Sequence, residues 1–159
     1  MKQTSDTTNK FLSEDHALLL VEVLDQIVPR DGDIPGAGEV GVALYICGEM
    51  DYSKYLKALI DEGLISIEEM SQEIYSQCFG ILPDRSKVDV LCRVESENGE
   101  FFKELVRLCY SGYYIDPEIR QLRDLEQRPP FPVGYDMEPF DISLLENVKN
   151  RGRIYRDVG

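Results

Sequence analysis

From Ser13 to Leu125 apolar side chains recur at the three- and four-residue intervals of an α-helix, Pro and Gly punctuate the runs, and no stretch alternates with period two. A chain with this pattern has no strands to pair and must bury its apolar stripes helix against helix. The expected fold is all-α, a single compact helical bundle with an irregular Pro- and aromatic-rich C-terminal wrap. At 159 residues one core suffices. Residues 1–12 read as a flexible N-terminal segment and 13–159 as one helical domain, with 126–159 an extended wrapping tail.

Ser13, followed by Glu14 and Asp15, has the form of an N-cap with acids in the first turn. Ala17, Leu20, Val21, Leu24, Ile27 and Val28 then keep helical spacing until Pro29 stops the helix. Glu14, Asp15, Glu22, Asp25 and Gln26 share the opposite side of the wheel, and Leu18 falls in the middle of that polar arc. Two readings of Leu18 stay open: an incidentally exposed leucine, or a contact with another chain. The loop from Pro29 to Gly38 leads into a second expected helix at Glu39–Glu49. A third runs over Tyr52–Ile60 and is closed by Gly63. Ser66 to Glu69 reads as a capping box that opens a fourth, with Ile67, Met70, Ile74 and Cys78 as its stripe and Gly80 as its stop. Pro83 and Asp84 open a fifth, with Val88, Leu91 and Cys92 as its apolar face. Glu100–Tyr110 is apolar around most of its circumference and belongs at the bundle's centre. Short helical pieces are expected at Pro117–Leu125 and Ile142–Asn150.

Charge excludes one class of partner. The chain carries 17 basic and 30 acidic residues, a net −13, and residues 1–80 hold 15 acids against 5 bases. Phosphate recognition needs clustered Lys and Arg, so nucleic acid is not the partner, nor is an anionic lipid surface. No run approaches the length of a membrane span, so direct membrane insertion is not expected. Met1–Lys10 has neither an apolar stretch nor paired arginines, which gives the expectation of a cytoplasmic chain, periplasmic only if carried by a partner. Cys47, Cys78, Cys92 and Cys109 stand far apart and read as reduced, buried thiols.

Catalytic constellations are equally thin. His16 is the only imidazole, too few for paired zinc ligands and without an evident nucleophile beside it. Asp61-Glu62 and Glu68-Glu69 are sequence neighbours whose side chains diverge on a helix, the pattern of a solvated face. The Gly-rich loop lacks the preceding strand and the glycine spacing of a dinucleotide cradle, and position twelve counted from Asp31 is Val42 rather than the Glu of a calcium loop. The expectation is a chain with no catalytic, cofactor-binding or metal-binding residues of its own. Conspicuous instead are Tyr113, Tyr114, Phe131, Tyr135, Phe140 and Tyr155, interleaved with prolines and arginines, which either cover the chain's own core or anchor a partner.

The order of these features resembles the gluconate 2-dehydrogenase subunit 3 family. The resemblance rests on Leu24-Asp25-Gln26-Ile27-Val28-Pro29 and on Asp33-Ile34-Pro35-Gly36-Ala37-Gly38-Glu39-Val40-Gly41-Val42. It continues in Phe101-Phe102-Lys103-Glu104-Leu105, Tyr110-Ser111-Gly112-Tyr113-Tyr114-Ile115-Asp116-Pro117 and Phe131-Pro132-Val133-Gly134-Tyr135, spanning about Leu12 to Val148. It implies a non-catalytic small subunit that binds and stabilises a large FAD-dependent sugar or polyol dehydrogenase or oxidase, the FAD lying in that partner and electrons often passing to a cytochrome c subunit. Many members begin with a twin-arginine signal, which Met1–Lys10 does not contain. The alternative reading is a stand-alone, chaperone-like interaction module without a stable flavoenzyme partner. The residues expected at the partner interface are Leu18, Pro35, Gly36, Tyr113, Tyr114, Asp116, Pro117, Phe131, Tyr135, Arg151, Arg153 and Tyr155. A further reading gives Tyr114 and Tyr135 a place at the mouth of the partner's active site.

Overall fold

The Ser13 hydroxyl accepts the His16 amide at 3.2 Å and opens α1, Glu14–Ile27, as its sequence predicts. Leu20, Val23 and Leu24 are buried, and the helix stops at Val28, before Pro29. The structure, a computed structural model, describes residues 12–125 and 141–151. These fall into two units, one ending at Gln127 and one beginning at Arg128.

In the first unit α2 spans Val42–Tyr52. It starts three residues later than expected because Glu39 is held in the preceding turn, its carboxylate accepting the Gly36 amide at 3.1 Å and pairing with Arg30. The expected third and fourth helices are one: α3 runs unbroken over Lys54–Tyr75, capped by the Ser53 hydroxyl on the Leu56 amide at 3.1 Å. Gly63 does not end it. The Phe101 ring sits where a Cβ would be, so the glycine permits close approach of two helices. Ser66 lies inside α3 and caps nothing, and Glu68 accepts the Phe79 amide at 3.2 Å instead. The helix closes on Ser76 in the left-handed region, φ 55°. Its stripe holds through Ile67 and Met70 but not Ile74 and Cys78, which are exposed; Ser71 is buried in their place and donates to the Gln77 carbonyl at 2.7 Å.

A 3₁₀ turn at Phe79–Ile81 buries Phe79 and leads to α4, Asp84–Glu97. The buried side of α4 is Lys87, Val90, Leu91 and Val94, whereas Val88 and Cys92 are exposed, so the helix is rotated from the expected face. Lys87 explains the rotation. Its stem lies inward with the ammonium 5.8 Å from the Phe79 ring centroid, and Nζ reaches Glu22 Oε2 of α1 at 2.5 Å. The central helix α5, Gly99–Ile115, is six residues longer than expected, one at its start and five at its end, and packs against α2, α3 and α4. Asp116 caps the short α6, Pro117–Leu122, accepting the Glu118 and Ile119 amides at 2.9 and 3.2 Å, with Pro117 in its first turn.

In the second unit Asp141 accepts the Ser143 amide at 2.9 Å and opens a 3₁₀ turn, Ile142–Leu145, followed by α7, Glu146–Lys149. The described secondary structure is helical throughout, with one isolated bridge pair at Asp31 and Ile34, and the fold is all-α. No described helix is long and apolar enough to cross a membrane.

Candidate functional site

The loop that follows α1 is folded against the helix it leaves. Asp25 Oδ1 accepts the Gly38 amide at 2.7 Å, the Val28 carbonyl accepts the Ala37 amide at 2.9 Å, and Asp31 and Ile34 exchange amide bonds at 3.0 Å around Gly32. A Cβ at Gly38 would lie 2.5 Å from the Val21 carbonyl oxygen, and one at Gly36 2.5 Å from Asp25 Oδ1, so both glycines mark backbone pressed onto α1. Arg30 forks onto Glu39, with Nε donating to Oε1 at 2.9 Å. The bond depresses the Glu39 pKa and raises that of Arg30. Asp25 moves the other way. Burial raises its pKa, with help from the charges of Glu39 and Glu22, against the lowering effect of the Gly38 amide. This Gly-rich loop is no phosphate cradle, since the amides of Gly36, Ala37 and Gly38 are already donated to Glu39, Val28 and Asp25.

The C-terminal end of α5 locks the same corner. Tyr113 is buried and its hydroxyl donates to the Pro35 carbonyl at 2.8 Å, tying two segments 78 residues apart. Tyr114 meets the Tyr113 ring edge-on at 5.3 Å and stacks along Tyr110 at 6.1 Å. The Arg123 guanidinium lies 5.8 Å from the Tyr113 centroid, and its buried Nε has no hydrogen-bond partner among the described residues. Arg120 Nη1 donates to the Tyr114 carbonyl at 3.2 Å. The outer part of this end forms an aromatic ledge of Tyr110 and Tyr114 beside Ile115, which is 66 % exposed.

Of the expected interface residues, the structure brings Pro35, Gly36, Tyr113 and Tyr114 together at this corner. Gly36 and Tyr113 are buried within the chain itself, where they hold the corner. Pro35 and Tyr114 are half-buried, Asp116 is occupied as a cap, and Pro117 and Arg151 are exposed. Phe131, Tyr135, Arg153 and Tyr155 lie outside the described residues. Leu18 is 62 % exposed, on the outer side of α1. There Leu18, Leu19 and Val21 of α1 line a groove together with Glu68 of α3 and Cys78 and Gly80 of the turn after it; Asp15, His16 and Glu22 complete the lining.

Asp25, Glu22 and Glu68 were missed as anything more than polar surface. Asp25 alone carried a sequence signal, a carboxylate one turn ahead of a helix-ending proline and a Gly-rich loop whose amides need acceptors. His16 Nδ1 faces Asp61 Oδ1 at 3.5 Å, and no hydroxyl or thiol among the described residues is hydrogen-bonded to the ring. Cys78 and Cys92 are exposed, correcting the expectation of four buried thiols, while Cys47 and Cys109 are buried. Glu68 pushes the Cys78 pKa up, the opposite of an activated nucleophile, and burial pushes Cys109 up to about 12. No group of three or more His, Cys, Asp or Glu among the described residues is placed to hold a metal.

The family model described as Gluconate 2-dehydrogenase subunit 3 matches residues 14–132, which include α1 to α6 and the whole Pro35–Tyr113 corner. No curated protein and no solved structure matches the chain. The chain belongs to the gluconate 2-dehydrogenase subunit 3 family.

Proposed function

We propose that this subunit 3 family member is a non-catalytic accessory subunit that binds and stabilises a large FAD-dependent sugar or polyol dehydrogenase. The observation that carries the reading is the family match across residues 14–132, all of the bundle that the first unit builds. FAD, held by the large subunit, supplies the redox chemistry, and a cytochrome c subunit is the natural next electron carrier. This chain contributes binding energy. A protein that binds only the folded partner stabilises it by about 2.7 kcal/mol when present at a hundred times its Kd, with no chemistry of its own.

Two features of the surface support a binding role. The ledge of Tyr110, Tyr114 and Ile115 presents rings and an aliphatic side chain to solvent on a rigid helix end, the kind of anchor that interfaces use. The corner beneath is fixed by the Tyr113–Pro35 bond, so little ordering entropy remains to be lost on docking. The large subunit should present basic surface to the acidic N-terminal half.

Co-expression of the large subunit with and without this chain tests the reading. The expected result is a several-fold fall in soluble, FAD-loaded large subunit when the chain is omitted, together with co-elution of the two chains on size exclusion. Equal yield, flavin content and activity without it overturns the stabilising role. Rescue of yield without co-elution would favour a transient chaperone over a resident subunit.

A further inference from the structure

We propose that the groove along the outer side of α1 seats an apolar segment of the large subunit flanked by lysine or arginine. The assignment of that segment to the large subunit rests on the accessory-subunit reading above; the chemistry of the segment rests on the groove alone. Its floor is apolar. Leu18, the one large aliphatic side chain in the acidic arc of α1, is 62 % exposed, with Leu19 and Val21 beside it. The facing wall is the turn after α3, with Cys78 and Gly80 in the groove and Ile81, the next residue, 72 % exposed.

The edge decides what can lie there. Asp15 and Glu22 come from α1 and Glu68 from α3, so three carboxylates share the lining, and among the described residues the one lysine paired with any of them is Lys87, on Glu22. Glu68 accepts the Phe79 amide and the Gln72 side-chain amide and is hydrogen-bonded to the Cys78 thiol, neutral groups that leave its charge unmatched among the described residues. A second copy of this chain would bring one acidic edge against another on molecules of net charge −13. A segment with apolar side chains at its centre and cations at its flanks satisfies both parts at once: the leucines are covered and the carboxylates gain partners as water leaves.

The test titrates isotopically labelled full-length chain with a short synthetic peptide carrying leucine at helical spacing and lysine elsewhere, and with the same peptide bearing glutamate for lysine. The expected result is amide shifts centred on Leu18, Leu19, Val21 and Gly80, with the lysine peptide binding at least about tenfold more tightly. Leu18→Arg and Asp15→Lys, checked for unchanged helical circular dichroism, should each weaken it by at least about tenfold. Shifts scattered over the acidic surface without Leu18 and Gly80, or wild-type affinity in Leu18→Arg, overturn the proposal. Dimerisation of the free chain that Leu18→Arg abolishes gives the groove to a second copy and overturns it too. The same variants against the co-expressed large subunit separate the two readings. A complex that Leu18→Arg leaves intact defeats the groove and spares the accessory role, whereas peptide binding in the groove with no wild-type complex defeats the accessory role and spares the groove's chemistry.

Discussion

The Pro35–Tyr113 corner and the outer groove of α1 are built from opposite materials. The corner holds the densest run of Gly, Pro, Asp and Tyr in the described chain, and its polar groups point inward. Gly38 is bonded to Asp25, Ala37 to Val28, Gly36 to Glu39 and Tyr113 to Pro35. The groove has ordinary helical leucines and glutamates, and its apolar floor is open to water. A loop rich in turn residues invites reading as a contact surface, yet here those residues serve the fold. The surface proposed above for another molecule is marked by a single exposed leucine out of pattern.

That contrast can be broken most directly at Gly38. Gly38→Ala would drive a methyl group against the Val21 carbonyl and the Asp25 carboxylate. The expected cost is on the order of 3 kcal/mol, seen as a fall in Tm of about 6–12 °C by circular dichroism. A wild-type melt would mean the corner is not braced as described. Tyr113→Phe keeps the ring and removes the bond to the Pro35 carbonyl, leaving a half-buried acceptor unpaired. A loss of about 1–2 kcal/mol in denaturant unfolding is expected.

Asp25→Asn sharpens the comparison through pH. Burial raises the folded-state pKa of Asp25 above its usual 3.8, so the folded chain holds this proton more tightly than the unfolded one. Its contribution is fully present below pH 3.8 and is lost as pH rises through the folded value. Asparagine keeps an acceptor for the Gly38 amide and does not titrate. Relative to wild type, the variant should lose that downward slope just above pH 3.8 and remain within about 1 kcal/mol of wild type at neutral pH, as read from denaturant midpoints across the range. A difference curve flat with pH would remove the carboxylate from the bracing. The smallest effect belongs to the groove: Leu18→Arg should leave unfolding within about 0.5 kcal/mol of wild type, because the side chain is mostly in water already. A loss as large as that of Gly38→Ala would show that Leu18 is part of the fold and erase the contrast.

Where local rules and tertiary packing agreed, the sequence was readable. Ser13, Glu14, Asp15 and Pro29 bound α1 as their chemistry dictates, and Leu18 is as exposed as its place among the acids requires. Gly63 and the Ser66 capping pattern misled, because a helix-breaking glycine is tolerated where the Phe101 ring needs its space, and that ring is 38 residues away. The face of α4 could not be placed by hydrophobicity. A lysine counted as polar is buried beneath it, its charge met by a glutamate on another helix. The corner's residues were visible as a motif, but the direction of Tyr113 was not, since no local pattern shows whether a ring faces inward or outward. Only the bond to Pro35 and the packing of Tyr114 and Arg123 around the ring determine that.

The Tyr113–Pro35 bond has a consequence for the order in which the chain matures. Its partners are 78 residues apart, so it cannot close until α5 has left the ribosome and docked, however early α1 has formed. The turn after α1 is thus a late seal, and a neighbour that grips the finished corner greets only molecules whose assembly is complete.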